Sequence, residues 1–144
     1  MPSRSLWGLT PRQSIEFACQ RRGEADVVAR CLDLLAGRDT DDDLVFAIGG
    51  PGARRVLDDS GQHYWLRVWA MRALLYVWRP DAARAVAAAL ADEAWRVREM
   101  AAKVAARRLL GETVPGLDGL ATDEVPRVRA AAARALAVLT QAGA

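Results

Sequence analysis

Three stretches of this 144-residue chain can be laid over one another without a gap at a shift of 31 residues, and that register narrows the fold more than anything else in the sequence. The middle copy is WRVREMAAKVAARRLL, Trp95 to Leu110. Under the shift Arg67, Arg98 and Arg129 coincide, as do Leu66, Val97 and Val128, then Ala70, Ala101 and Ala132, then Arg72, Lys103 and Arg134. A fixed period of 20 to 50 residues with apolar positions at helical spacing inside each unit is the mark of stacked helix pairs, because one hairpin cannot bury its apolar face alone. The expected fold is all-α: an α-solenoid of about four helical hairpins.

An apolar share of 52% is ample for a continuous core, and it excludes a disordered tail. Thr10 and Pro11 read as N-cap and first residue of a helix over 11 to 22, with Ile15, Phe17, Ala18 and Cys19 on its apolar side and Gly23 at its end. A second helix over 24 to 36 presents Val27, Val28, Cys31, Leu32, Leu34 and Leu35, and stops at Gly37. Short helices follow at 41 to 48 and 53 to 58. Longer ones are expected at 64 to 78, 94 to 110 and 126 to 140, the last two preceded by partners at 81 to 91 and 114 to 122, with the Gln-Ala-Gly-Ala end frayed. In domain terms, residues 1–48 cap or extend the stack, and 49–141 hold repeats at about 49–79, 80–110 and 111–141, in one compact domain.

Several motifs that invite a chemical reading fail on their spacing. Asp39 to Asp43 could open a calcium loop, but Leu44 stands where the turn glycine is needed and Gly50 where the bidentate Glu belongs. Gly49-Gly50-Pro51-Gly52 matches neither phosphate-loop pattern. His63 is the only histidine, and Cys19 and Cys31 have no zinc-type spacing, so neither a metal nor a cofactor is expected, and the two thiols read as buried and free. No catalytic motif is present, so the chain reads as no enzyme. No window reaches the roughly 18 apolar residues that cross a bilayer, and the N-terminus has no apolar signal region, so a cytoplasmic protein is expected.

Across the inter-helix turns, Asp92 with Arg98 and Asp123 with Arg129 repeat an Asp and an Arg six residues apart, inside ADEAWRVREMAAKV and ATDEVPRVRAAAARAL. This resembles the HEAT repeat, in the short form of bacterial HEAT-like and PBS-lyase-type proteins, over residues 47 to 140. The resemblance implies a structural ladder of Arg67, Asp92, Arg98, Asp123 and Arg129 that ties neighbouring units together. At the second unit Gly61 stands where an Asp should face Arg67. The resemblance also implies a right-handed α-solenoid, an ARM-type superhelix, and a habit of binding macromolecules rather than an activity.

Placing residues 100° apart around each helix assigns Leu66, Ala70, Ala73 and Val77 and their equivalents to the core. A third side carries Trp65, Trp69, Arg72 and Tyr76, then Arg96, Met100, Lys103 and Arg107, then Arg127, Ala131 and Arg134. The resemblance puts this side on a concave surface, as a strip aromatic at one end and cationic along the rest. Two accounts of it stay open. The N-terminal helices fold back over Trp65, Trp69 and Tyr76 and leave the arginines as a solvated face, or the aromatics form a docking platform of the residue types that dominate binding hot spots. Trp7 reads as covering an apolar end of the stack.

The charge is uneven, with 9 basic against 4 acidic residues between positions 62 and 110. The leading expectation is a non-enzymatic interaction module whose groove takes a protein partner, an acidic or amphipathic segment. The alternative is nucleic-acid binding through the phosphate backbone, since the strip resembles in type the concave face of HEAT-like DNA alkylation-repair proteins. Chromophore lyases are a third and lesser relative, for which the chain offers no bilin-handling residues.

Overall fold

A computed structural model describes residues 8–143, and among them every regular element is helical. The helices are α1 (Pro11–Arg22), α2 (Glu24–Leu35), α3 (Asp42–Gly49), α4 (Ala53–Leu57), α5 (Tyr64–Ala73), α6 (Ala83–Ala89), α7 (Trp95–Arg107), α8 (Val114–Gly119) and α9 (Pro126–Gly143). Short 3₁₀ turns lead into α4, α6 and α8 at 50–52, 80–82 and 111–113. The chain forms two compact units, residues 1–79 and 80–144, divided at a repeat boundary. Trp7, expected to cover an end of the stack, lies outside the described residues.

In the first unit local chemistry sets the helix ends. Thr10 Oγ1 accepts the Gln13 amide at 3.1 Å while Gln13 Oε1 accepts the Thr10 amide at 3.0 Å, a reciprocal capping box ahead of Pro11. Gly23, at φ 88°, ends α1 and launches α2 within one residue. Asp41 caps α3 by accepting the Leu44 amide at 2.9 Å, at a helix end that favours negative charge. The same carboxylate takes a two-pronged contact from Arg22 at 2.6 and 2.7 Å, tying the end of α1 to the start of α3. Helix α5 lies against α2 and α3, α1 packs on α2 and α3, and the buried core of this unit contains Ile15, Ala18, Val28, Cys31, Leu44, Ile48, Ala70 and Met71. Phe17, expected on the apolar side of α1, is instead 53% exposed, with the Arg21 guanidinium 5.1 Å from its ring centroid.

The second unit is two hairpins, α6 with α7 and α8 with α9, joined mainly by α7 packing on α9. Val97, Ala101, Val104, Val128 and Ala132 are all sealed from solvent, as the 31-residue register requires. Alanine at so many contact positions lets the helix axes approach closely. The long helices stop earlier than periodicity alone predicts. Helix α5 gives way to turns after Ala73, and α7 ends at Arg107 because Leu109 takes a left-handed conformation at φ 55°. At the other extreme α9 runs on through the residues expected to fray, as far as Gly143.

Candidate functional site

The four aromatic-end residues of the predicted strip belong to the first unit, and they do not share one environment. Trp65 is partly exposed and tilts against Trp69, centroids 6.3 Å apart, and against Tyr64 at 5.3 Å. Trp69 is only 8% exposed. Its six-membered ring presses on the backbone of Gly49, where an added Cβ would overlap it and come within 2.9 Å even of Cδ2. The docking-platform expectation is therefore corrected for Trp69: α3 packs onto α5 through this ring, and glycine at 49 is what leaves room for it. Arg72 is half-buried as well, its Nη2 donating to the Ile48 carbonyl at 2.6 Å. Of the four, Trp65 and Tyr76 keep partial access to solvent.

The Asp and Arg spacing resolves into a working ladder in the second unit. Arg98 Nη1 donates to the Asp92 and Glu93 carbonyls of its own turn at 2.9 and 3.2 Å. Its Nε and Nη2 reach the Asp123 carboxylate of the next hairpin at 2.9 and 3.2 Å. Asp123 in turn accepts the Val125 amide at 2.9 Å, and Arg129 donates to the Asp123 carbonyl at 2.6 Å. Each arginine thus ties down the turn before its own helix, and Arg98 also bridges to the following one. Side-chain exposures of 12% and 8% leave the Arg98–Asp123 pair part-buried. Burial raises the Asp123 pKa, but the bonds from Arg98 and the Val125 amide outweigh it and hold the carboxyl below its ordinary value.

The cationic positions of the second unit divide into held and free. Glu99, 6% exposed, sits beneath the face and takes Arg127 through two contacts of 2.9 and 3.1 Å, with Lys103 Nζ at 3.9 Å. Arg96 and Arg127 both stack on Trp95, at 4.4 and 5.1 Å from the ring centroid. Met100 is partly exposed between turns of α7. Arg107 and Arg134 are exposed and meet no carboxylate among the described residues. Glu99 is not among the residues that the helical wheel placed on the strip. Its signal was available, as an acid four residues before Lys103 on an otherwise apolar, alanine-rich flank.

The remaining reactive groups are quiet. Burial pushes the Cys31 thiol up to about 12, and burial likewise raises Cys19, so neither offers a thiolate at neutral pH. Among the described residues no three His, Cys, Asp or Glu side chains gather where they could hold a metal ion, and no helix is long and apolar enough to cross a membrane.

A family model for HEAT repeats matches residues 55–137, which begins within α4 and ends within α9. No curated protein and no solved structure matches the chain.

Proposed function

Because the chain belongs to the HEAT-repeat family, a family of generally non-enzymatic scaffolds that mediate protein interactions, we propose that it is a protein-interaction module whose α7 and α9 present a cationic face to an acidic segment of a partner. The observation that carries this reading is the division of cations around Glu99. Arg127 and Lys103 have a carboxylate beside them, whereas Arg107 and Arg134 are exposed without one. Arg134 occupies on α9 the repeat position that Lys103 occupies on α7, so the face carries positive charge from one hairpin to the next. Fixed cations at a rim steer an oppositely charged ligand and set its orientation, while apolar anchors supply most of the affinity. Met100 and the stem of Lys103 are the apolar surface beside them.

The partial neutralisation by Glu99 weighs against phosphate-backbone binding, which draws its affinity from many unpaired cations at once. Affinity capture with the wild-type chain and with an Arg107→Glu/Arg134→Glu variant tests the reading. Capture of proteins with acidic segments by the wild type, lost in the variant at unchanged thermal midpoint, is the expected result. Equal capture by both chains refutes a role for this face. Capture of nucleic acid, weakening steeply with salt on a log-log plot, would replace the protein partner by a phosphate backbone.

A further inference from the structure

The position shared by Arg72, Lys103 and Arg134 is cationic in every copy, but only in the first unit is it drawn under other helices. There Arg72 lines a cleft of about 120 Å³, together with Thr10, Ser14, Ile48, Gly49 and Pro51 from α1, α3 and the turn after it. Its guanidinium spends one nitrogen on the Ile48 carbonyl at 2.6 Å. Nε is buried and has no partner, and no acceptor meets Nη1 among the described residues. None of the residues lining the cleft is acidic, and the seven residues that precede Gly8, MPSRSLW, contain no carboxylate either. Drawing a charged guanidinium partly out of water, with Nε sealed and a single neutral acceptor on Nη2, is costly, because cations pulled into a protein are ordinarily matched by a carboxylate. The molecule itself shows the usual solution at Arg98 with Asp123.

We propose that this cleft is a binding site for one carboxylate group, with Arg72 as its counter-ion. A carboxylate fits this site better than a doubly charged phosphate. The site offers a single positive charge, and the α3 C-terminus beside it presents carbonyl oxygens, so a second negative charge would be left uncompensated. Planar guanidinium and planar carboxylate also match in shape. Thr10 supplies a further donor, since its Oγ1 accepts from the Gln13 amide and leaves the hydroxyl proton free. Desolvation lowers the Arg72 pKa, which agrees with a cation that lacks its anion. The carboxylate has two possible sources, a small free acid or a peptide, and both are tested. This site lies in the first unit and stands apart from the reading of the α7 and α9 face.

The test is a titration of the ¹⁵N-labelled chain at constant ionic strength, following Arg72 Nε–Hε and the amides of Thr10, Gly49 and Gly50. Acetate, acetyl-Gly-Glu-Gly-amide and acetyl-Gly-Gly-Gly with a free C-terminus are the ligands, with chloride and inorganic phosphate as comparisons. Saturating shifts of all four groups with one dissociation constant are expected for acetate, and whichever peptide binds more tightly than acetate identifies a peptide source. Arg72→Gln should weaken acetate by about tenfold or more, and Arg72→Lys by less, because a point charge replaces the planar fork. Shifts that never saturate, or that chloride reproduces, overturn the proposal. So does tighter binding of phosphate than of acetate. The wild-type titration decides the matter even if Arg72→Gln does not fold.

Discussion

Replacing Asp123 by alanine should be among the most damaging single changes in the second unit, although the residue touches no proposed ligand. Three interactions go at once: the two contacts from Arg98 at 2.9 and 3.2 Å, and the Val125 amide bond at 2.9 Å. Because the pair is part-buried, with side-chain exposures of 12% and 8%, truncation leaves the Arg98 charge with only two carbonyls of its own turn beside what solvent reaches it. Breaking such a charge-assisted, part-buried pair costs about 1.5–3 kcal/mol, and the lost amide bond adds about 1 kcal/mol. A loss of about 2.5–4 kcal/mol corresponds to a drop in thermal midpoint of about 5–16 °C for a chain of this length. Asp123→Asn keeps an oxygen for the Val125 amide and should recover roughly the 1 kcal/mol of that bond. Asp118→Ala, an exposed acid on α8, serves as the control and should stay within about 0.5 kcal/mol. Circular-dichroism melts give the midpoints, and hydrogen exchange along α9 shows whether the loss is local. If Asp123→Ala falls no further than Asp118→Ala, the ladder carries no stability and the argument fails. Strict additivity of Asp123→Leu with Arg98→Met would refute it equally, because residues in direct contact within one ion pair must couple.

Acid should act through the same group. The folded Asp123 carboxyl lies below its ordinary value, so its contribution is complete above about pH 4 and is lost as pH falls through the folded pKa; acid melts of Asp123→Asn should therefore be flatter than those of the wild type below pH 4. Trp69→Ala should cost about 3–5 kcal/mol in denaturant melts, as a core truncation does, and an effect under about 1 kcal/mol would mean that the ring is not packed. Gly49→Ala, which drives a methyl into that ring, should cost about 1–3 kcal/mol. Leu109→Gly should raise stability by about 1 kcal/mol, since an exposed leucine at φ 55° occupies a conformation that glycine enters freely; a neutral or destabilising result by the same melts would refute the strain.

Much of the site was legible in sequence, because a repeat converts one residue's environment into a statement about three. The 31-residue register identified the sealed positions Val97, Ala101, Val128 and Ala132, and the Asp and Arg spacing marked both ends of the Arg98–Asp123 bridge. These features depend on helical periodicity and on short-range turn chemistry, which neighbouring residues along the chain specify. What the tertiary structure alone decided is which copy of an equivalent position meets solvent. Arg72 and Arg134 share a register, yet α3 covers the first and nothing described covers the second. Trp69 was indistinguishable from a surface aromatic until Gly49 was found against its ring. Glu99, likewise, became the anchor of Arg127 only when α9 packed beside α7. Periodicity describes the angle of a side chain around its own axis, whereas burial depends on which other helix arrives there, and that is a property of contacts between residues far apart in the chain.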